Sequence, residues 1–467
     1  MDDEDHAGTA NGARTLTLAG PLAARRPTAA DRGVQQGDEA QQSGARRWLD
    51  RRHLIIAYAV FAAYAAMDAG LSSGRDQVWA IWAACGDLAA LVILWRWGAR
   101  TAAAGVSVAL AVLAPLLWLS VAYPLEDGMN VIERSAGLLL HHGSPYLTAS
   151  QVSGWLSYNP YLPVMTVFGW PAAAGLGGLA GNPGVWMALG TVAVLAAAFW
   201  IALPAGPDGG PGPGPRPRWR RDALLATAVA VASPVIGLNL AVITTDPPVL
   251  AFMLLSLALA GVPAGVKASV ARTAGSGIAL GFACDLKSTA WLAVPVMAAM
   301  FACRDGARAT WRFLAAVAVT GVALIVVLDP AALMHKAAAT ALVQNSVLFP
   351  LGLTHYKTPA ESLTPGHMLS SLGTAGHVAS VGLLLVAGLA VAVSLLIRPP
   401  RDVRATIWRL AAGLTFMFLL GPDVRFGYFL YPLGLLGWLA LTRGSAPPGP
   451  ARNSAFPWPR RSHPSEG

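Results

Sequence analysis

The chain has 467 residues, 55% hydrophobic and 12% charged, and its apolar residues run in long blocks. That pattern excludes a soluble globular domain and describes an all-α polytopic membrane protein. The net charge of +9 comes from arginines gathered in short segments between apolar blocks, as in cytoplasmic loops, so it reports topology and not a nucleic-acid partner.

Residues 1–45, rich in Ala, Gly, Asp, Gln and Arg, predict a disordered cytoplasmic tail rather than a cleaved signal peptide. A polytopic domain over 46–443 follows. Lipid offers backbone groups no water, so each block of about 17–25 apolar residues is read as a helix. The first spans are expected at 54–71, 78–97 and 102–123. Asp87, in the second, has no evident cationic partner in the sequence. Three cysteines, Cys85, Cys284 and Cys303, lie in or beside apolar runs without the spacing of a disulfide framework or zinc site.

As the chain leaves the third block it reads LEDGMNVIER, Leu125–Arg134. Drawn as a helix over 126–141, this segment puts Met129, Ile132, Ala136, Leu139 and Leu140 on one face and Asp127, Asn130, Arg134 and His141 on the other. The expectation is an amphipathic helix in the interface, apolar side toward lipid. HHGSPYL and SYNPYLP, which carry Tyr146 and Tyr158, cannot extend a helix and would wall a pocket. The run 161–179 contains Pro163, Pro171 and four glycines, and is expected to be a juxtamembrane or re-entrant helix. It closes an external juxtamembrane region, 124–183.

Further spans are expected at 184–204, 223–242 and 247–263, with 205–221 a cytoplasmic Pro/Gly/Arg linker. Asp246, in TTDPP, reads either as a second acid or as the N-cap of the span starting at Pro247. The run 276–302 carries Asp285 and Lys287 near its middle, where one charge costs roughly 2.5–3.5 kcal/mol. Parity with 161–179, and the arginines of the flanking loops, make it a hairpin of two short helices with Asp285 and Lys287 at the tip. Spans at 312–328, 377–397, 405–420 and 426–442 bring the total to about ten. The stretch 329–376 is then an external loop holding His355, Tyr356 and Lys357, and 444–467 a second cytoplasmic tail. This threading places both termini in the cytoplasm and gathers 124–183, TTDPP, the hairpin tip, 329–376 and GPDVRF on the external face.

Four motifs carry a resemblance. They are an acidic residue after an early span, Leu138-Leu139-x-x-x-Gly143-x-Pro145-Tyr146 closing the amphipathic helix, Tyr158-x-Pro160-Tyr161-x-Pro163, and a hairpin with lysine at its turn (GFACDLKSTAWL). A late Arg425-x-x-Tyr428 adds to them. Over residues 50–440 the chain resembles the GT-C membrane glycosyltransferases, and in particular the polyprenyl-phosphate-sugar-dependent glycosyltransferase family 87 of actinobacteria. It departs from that pattern in having Glu126-Asp127 and then Glu133 in place of Asp-x-Asp.

The resemblance implies inverting transfer of a sugar, mannose or arabinofuranose, from a polyprenyl phosphate to a lipid, glycan or protein acceptor outside the plasma membrane. That chemistry needs a carboxylate to take the acceptor's proton, an effect of typically 10²–10⁴-fold. Asp127 is the candidate base and Glu126 its nearest substitute, although an acid at a helix N-terminus is also favoured by the dipole alone. The departing lipid phosphate needs cations, for which Lys287 and Arg425 are the candidates. Each has a local acid, Asp285 and Asp423, that it could pair with instead. Further substrate contacts are expected at Arg134, Asp246, Tyr146, Tyr158, His355 and Lys357. No cofactor is firmly implied and a divalent metal is left open; His141, His142 and His377 do not form a metal spacing. Two other classes share the composition: a secondary transporter or lipid-linked-sugar flippase, and a catalytically inactive envelope-assembly protein. A transporter commonly carries two corresponding halves, and the sequence shows no second copy of LEDGMNVIER or of the DLK hairpin.

Overall fold

Apolar blocks that must satisfy their own backbone become helices, and the computed structural model is helical throughout, with no strand among the described residues. Those residues are 49–203, 218–262, 267–350, 352–356, 362–422 and 424–442. The expected tails 1–45 and 444–467, and most of the linker 205–221, lie outside them, as do Lys357 and Asp423.

Among the described residues seven unbroken helices are long and apolar enough to cross a membrane: Arg51–Leu71, Gly74–Trp97, Arg100–Ala122, Pro183–Ala202, Ala307–Leu328, Thr374–Ile397 and Val403–Leu420. The chain is thus a multi-pass helical membrane protein, with fewer full-length spans than the ten expected. The block 223–242 breaks at Ser233-Pro234, and its two pieces, Arg220–Ala232 and Pro234–Ala241, are bent by 66°. Proline has no N–H to donate and its ring clashes with the preceding turn. The block 247–263 gives only a 14-residue helix, Pro247–Ala260, which Gly261 ends. Its last carbonyls are taken by arginines: Arg272 donates to the oxygens of Ala258, Leu259 and Gly261, and Arg304 to that of Ala260. The last block begins as a 3-10 turn, Phe426–Phe429, before the α-helix Leu430–Thr442.

The first three spans pack through small residues and polar contacts, two of which are buried between the second and third. Ser107 donates to the fully buried Asp87 at 2.5 Å, which answers the missing partner of that carboxyl. Trp79 Nε1 donates to the Ala111 carbonyl at 2.8 Å, inside a π-helical segment, Ala109–Leu113, whose widened turn exposes that oxygen.

The amphipathic helix forms over Asp127–His142 and ends at Gly143, whose φ of +71° is the left-handed conformation glycine tolerates best. Its apolar face divides: Leu140 is 54% exposed, whereas the first half turns into the protein and not toward lipid as expected. Met129, Ile132 and Ala136 are buried within the protein, against the 3-10 segment Pro163–Gly169. The run 161–179 thus forms short turns, not one helix. A Cβ on Gly169 would lie 2.7 Å from the Ile132 carbonyl oxygen and 2.8 Å from the Ala136 methyl, so glycine allows this contact. The hairpin is present: Val270–Leu286 runs to Lys287, and Ser288–Leu292 with Ala293–Arg304 returns.

Contacts sort the connecting segments into two groups. At one end of the bundle Lys287 reaches Asp246, Leu162 N–H donates to the Leu286 carbonyl, Asn345 holds Leu147 and Asn159, and the His367 ring bonds the Pro422 carbonyl oxygen. At the other end Arg272 and Arg304 bind the 258–261 carbonyls, Arg51 the Trp95 oxygen and Arg100 the Leu49 oxygen. The close approach at residue 169 gives a direct check. Gly169→Val is expected to lower the detergent-solubilised protein's stability by about 1–3 kcal/mol, the usual effect of overpacking. An unchanged thermal midpoint would contradict this packing.

Candidate active site

The site grows from three chain breaks that meet. The bent helix ends at Ala241, and a short turn leads to Asp246 at the start of Pro247–Ala260. Lys287 adopts extended backbone, φ −158°, between the two arms of the hairpin, and Trp291 Nε1 donates across the break to the Cys284 carbonyl at 3.0 Å. Arg425 precedes the 3-10 turn that carries Tyr428 and leads into Tyr431.

Lys287 Nζ and the Tyr431 hydroxyl both donate to Asp246 Oδ1, each at 2.7 Å. Asp246 does hold the N-cap position of Pro247–Ala260, but its side chain makes no capping bond and serves the ion pair instead. The alternative pairing of Lys287 with Asp285 is likewise absent, since Asp285 accepts from the Val164 backbone N–H instead. Tyr428 and Tyr161 flank the ammonium, their ring centroids 4.6 Å and 6.0 Å from Nζ, close enough for cation–π attraction. Burial works against the charge on Lys287, and Asp246 with the two tyrosines works for it.

Above this pair sits the start of the amphipathic helix. Glu126 is its N-cap and accepts from Gly128 N–H at 2.6 Å. A Cβ on Gly128 would lie 2.9 Å from both Glu126 Oε2 and the Tyr161 hydroxyl, and 3.4 Å from the Thr245 methyl. Glycine here lets carboxylate, phenol and the TTDPP turn converge. Burial raises the Glu126 carboxyl above the ordinary carboxylate range; the Gly128 N–H opposes this, Asp127 adds to it, and the charges of Arg425 and Arg75 oppose it. Burial also pushes the Tyr161 phenol up to about 12, against Lys287 and Thr245. Asp127 is exposed and next in line from Glu126.

The other expected residues divide. Tyr146, 5% exposed, donates to the Tyr161 carbonyl at 2.9 Å and supports the site from behind. Tyr158 stacks on Phe349, centroids 4.5 Å apart, and so fastens the 344–349 segment to SYNPYLP. Arg134 donates to the Leu156 and Ser157 carbonyls and braces that loop, away from the ion pair. His355 is exposed and meets Tyr356 edge-on. Among the described residues no group of three or more His, Cys, Asp or Glu is placed to hold a metal ion.

Tyr161, Tyr428, Tyr431 and Asn345 had no role assigned from sequence. A signal existed for two of them, because Arg425, Tyr428 and Tyr431 recur every third residue and so share a helix face. Asn345 sits in a π-helical turn, Gln344–Leu348. Its side chain accepts from Asn159 N–H at 2.8 Å and donates to the Leu147 carbonyl at 3.1 Å.

No family model matches the chain, and no curated protein matches its sequence. Among solved structures it is similar to two crystal structures of ArnT from Cupriavidus metallidurans. The apo structure aligns at a TM-score of 0.43 and 18% identity, over 74% of this chain and 60% of that one. The structure bound to undecaprenyl phosphate aligns at 0.43 and 17%, over 75% and 60%. This chain therefore spans less than two thirds of the length of those proteins.

The ion pair is the testable core of this geometry. Lys287→Met leaves a buried carboxylate without its cation and is expected to destabilise by about 3–5 kcal/mol. Adding Asp246→Asn to the same chain should restore most of that loss in thermal unfolding. Simple addition of the two single effects would show that the residues are not coupled.

Proposed function

We propose that the protein is a GT-C-type membrane glycosyltransferase, with Glu126 as the base and Lys287 and Arg425 as the cations that meet a lipid phosphate. The observation that carries this reading is the convergence of Glu126, Tyr161, Asp246 and Lys287 in one cluster, called the recess for its place under the external segments. An acid raised by burial and a fixed ammonium, with Tyr161 near both, are the two groups that sugar transfer from a phosphate needs.

In the proposed step the acceptor oxygen forms a bond to the anomeric carbon as the bond from that carbon to the phosphate oxygen breaks. The hydroxyl proton passes to Glu126. The polyprenyl phosphate leaves with the bonding electron pair, and its negative charge is met by Lys287 and Arg425. Lysine has three N–H donors and Asp246 engages one, so the salt bridge orients the ammonium without exhausting it. Asp127, exposed at the helix start, is the secondary candidate for the base.

The depth of the recess suits a lipid-borne substrate. Pro247–Ala260, at 14 residues, is about 21 Å long by the helical rise, short of the roughly 30 Å hydrocarbon core. With its arginine-capped end at one interface, Asp246 at the other end lies below the opposite headgroups. The arginine-rich end is taken as cytoplasmic, which sets the recess on the outer side. The motif resemblance makes mannose and arabinofuranose the donors to try first.

The test is transfer in membranes from expressing cells, with labelled polyprenyl-phosphate mannose or arabinose and an envelope lipid extract as acceptor. Wild type should transfer, and Glu126→Gln should lose about 10²–10⁴-fold while accumulating normally. Because the base acts ionised, kcat/KM should fall with decreasing pH through a value above the ordinary carboxylate range, and that limb should vanish in Glu126→Gln. Full activity in this variant with loss in Asp127→Asn would move the base one residue on. No transfer with either donor by a wild type present in the membrane would reject this substrate assignment.

A further inference from the structure

The end of the bundle opposite the recess carries a second charged feature that sugar transfer does not use. Two helices begin side by side there, Arg51–Leu71 and Arg100–Ala122. An open cleft of about 720 Å³ lies between their first turns, lined by Arg51, Arg52, His53 and Arg100 together with Asp50 and Gly98. Arg100 also borders a smaller cleft of about 270 Å³ whose wall includes Arg221 and Asp222.

Four arginines therefore ring two adjoining clefts against two carboxylates, and both flanking helices direct their N-terminal N–H groups to this end. Two of the arginines are fixed in place, since Arg51 donates to the Trp95 carbonyl at 2.5 Å and Arg100 to the Leu49 carbonyl at 3.0 Å. Trp95 and Trp97 lie beside them, 71% and 67% exposed, at the foot of the helix Gly74–Trp97. Exposed tryptophans at a helix end mark the headgroup level of a bilayer. The charge, the volume and the depth agree on one ligand chemistry.

We infer that this double cleft binds the phosphate of an anionic phospholipid, with the acyl chains lying along the exposed surface beside Trp95 and Trp97. Soluble phosphate esters share the charge, but a site at headgroup depth, bordered by exposed indoles, selects the lipid form. Basic pockets between helices are a recurrent way of holding such headgroups.

The test uses the purified full chain in neutral detergent and native mass spectrometry with phosphatidylglycerol, and with phosphatidylcholine of the same acyl chains. Wild type should retain phosphatidylglycerol over phosphatidylcholine and release it at high salt. Arg52→Gln and Arg221→Gln, both on exposed side chains, should each weaken retention by roughly 5-fold. The compensated chain Lys287→Gln/Asp246→Asn, at the far end, should not, which separates this site from any phosphate bound beside Asp246. Equal retention of the two lipids, retention unchanged in the Arg52→Gln/Arg221→Gln chain, or persistence at high salt in wild type would each overturn the inference. Full competition by soluble glycerol phosphate would overturn the lipid assignment in favour of a free phosphate ester.

Discussion

A cation placed inside a helical membrane bundle must find a counter-charge, and the pairing of Lys287 with Asp246 is the solution on which this structure depends. Taking both groups from water is costly, and their attraction offsets that cost only when geometry is good and the remaining valences are used. Here Tyr431 supplies a second donor to the same carboxylate oxygen, and Tyr428 and Tyr161 surround the ammonium with ring faces. The pair joins the hairpin to the Pro247–Ala260 helix and, through Tyr431, to the last helix. Three separate breaks in the helical pattern are thus held at one level of the bundle.

Those breaks are also where sequence and structure part. The seven long spans were legible because an unbroken apolar block has one outcome in lipid. The hairpin was legible because Asp285 and Lys287 would be expensive inside a continuous helix. The shorter helices were not: Pro234 bends one block and Gly261 ends another, and a hydropathy pattern counts residues without registering where backbone bonds stop. The partner of Lys287 was not legible for a related reason, Asp285 having been offered only as an alternative to phosphate contact. Asp285 is nearer in sequence, but two residues back it sits about half a turn round the helix and bonds the Val164 N–H, whereas Asp246 is brought in by packing 41 positions away.

The amphipathic helix shows the same limit. Its two faces were correct as a pattern, and a pattern cannot say whether an apolar face meets lipid or protein. The close contact at Gly169 decides for protein over the first half of the helix, which fixes it firmly enough for its N-cap, Glu126, to be placed near Tyr161 and Thr245. Arg134 shared the polar face with Asp127 and was equally eligible for substrate, but two backbone carbonyls in the 156–157 turn occupy it. Long-range backbone partners of this kind leave no trace in local spacing.

The contacts that close the recess join residues far apart along the chain. Asp246 and Tyr431 are separated by 185 positions, Asn159 and Asn345 by 186, and Leu147 and Asn345 by 198. A chain made from its N-terminus and inserted helix by helix therefore carries Glu126, Asp246 and the segment 144–162 into the membrane long before their fasteners exist. Local pairings such as Asp87 with Ser107, 20 positions apart, can form at once, so the first three helices make an early platform. The recess is assembled only when the final helix enters, and a chain stopped short of Tyr431 would hold its charged residues in lipid without the structure that shelters them.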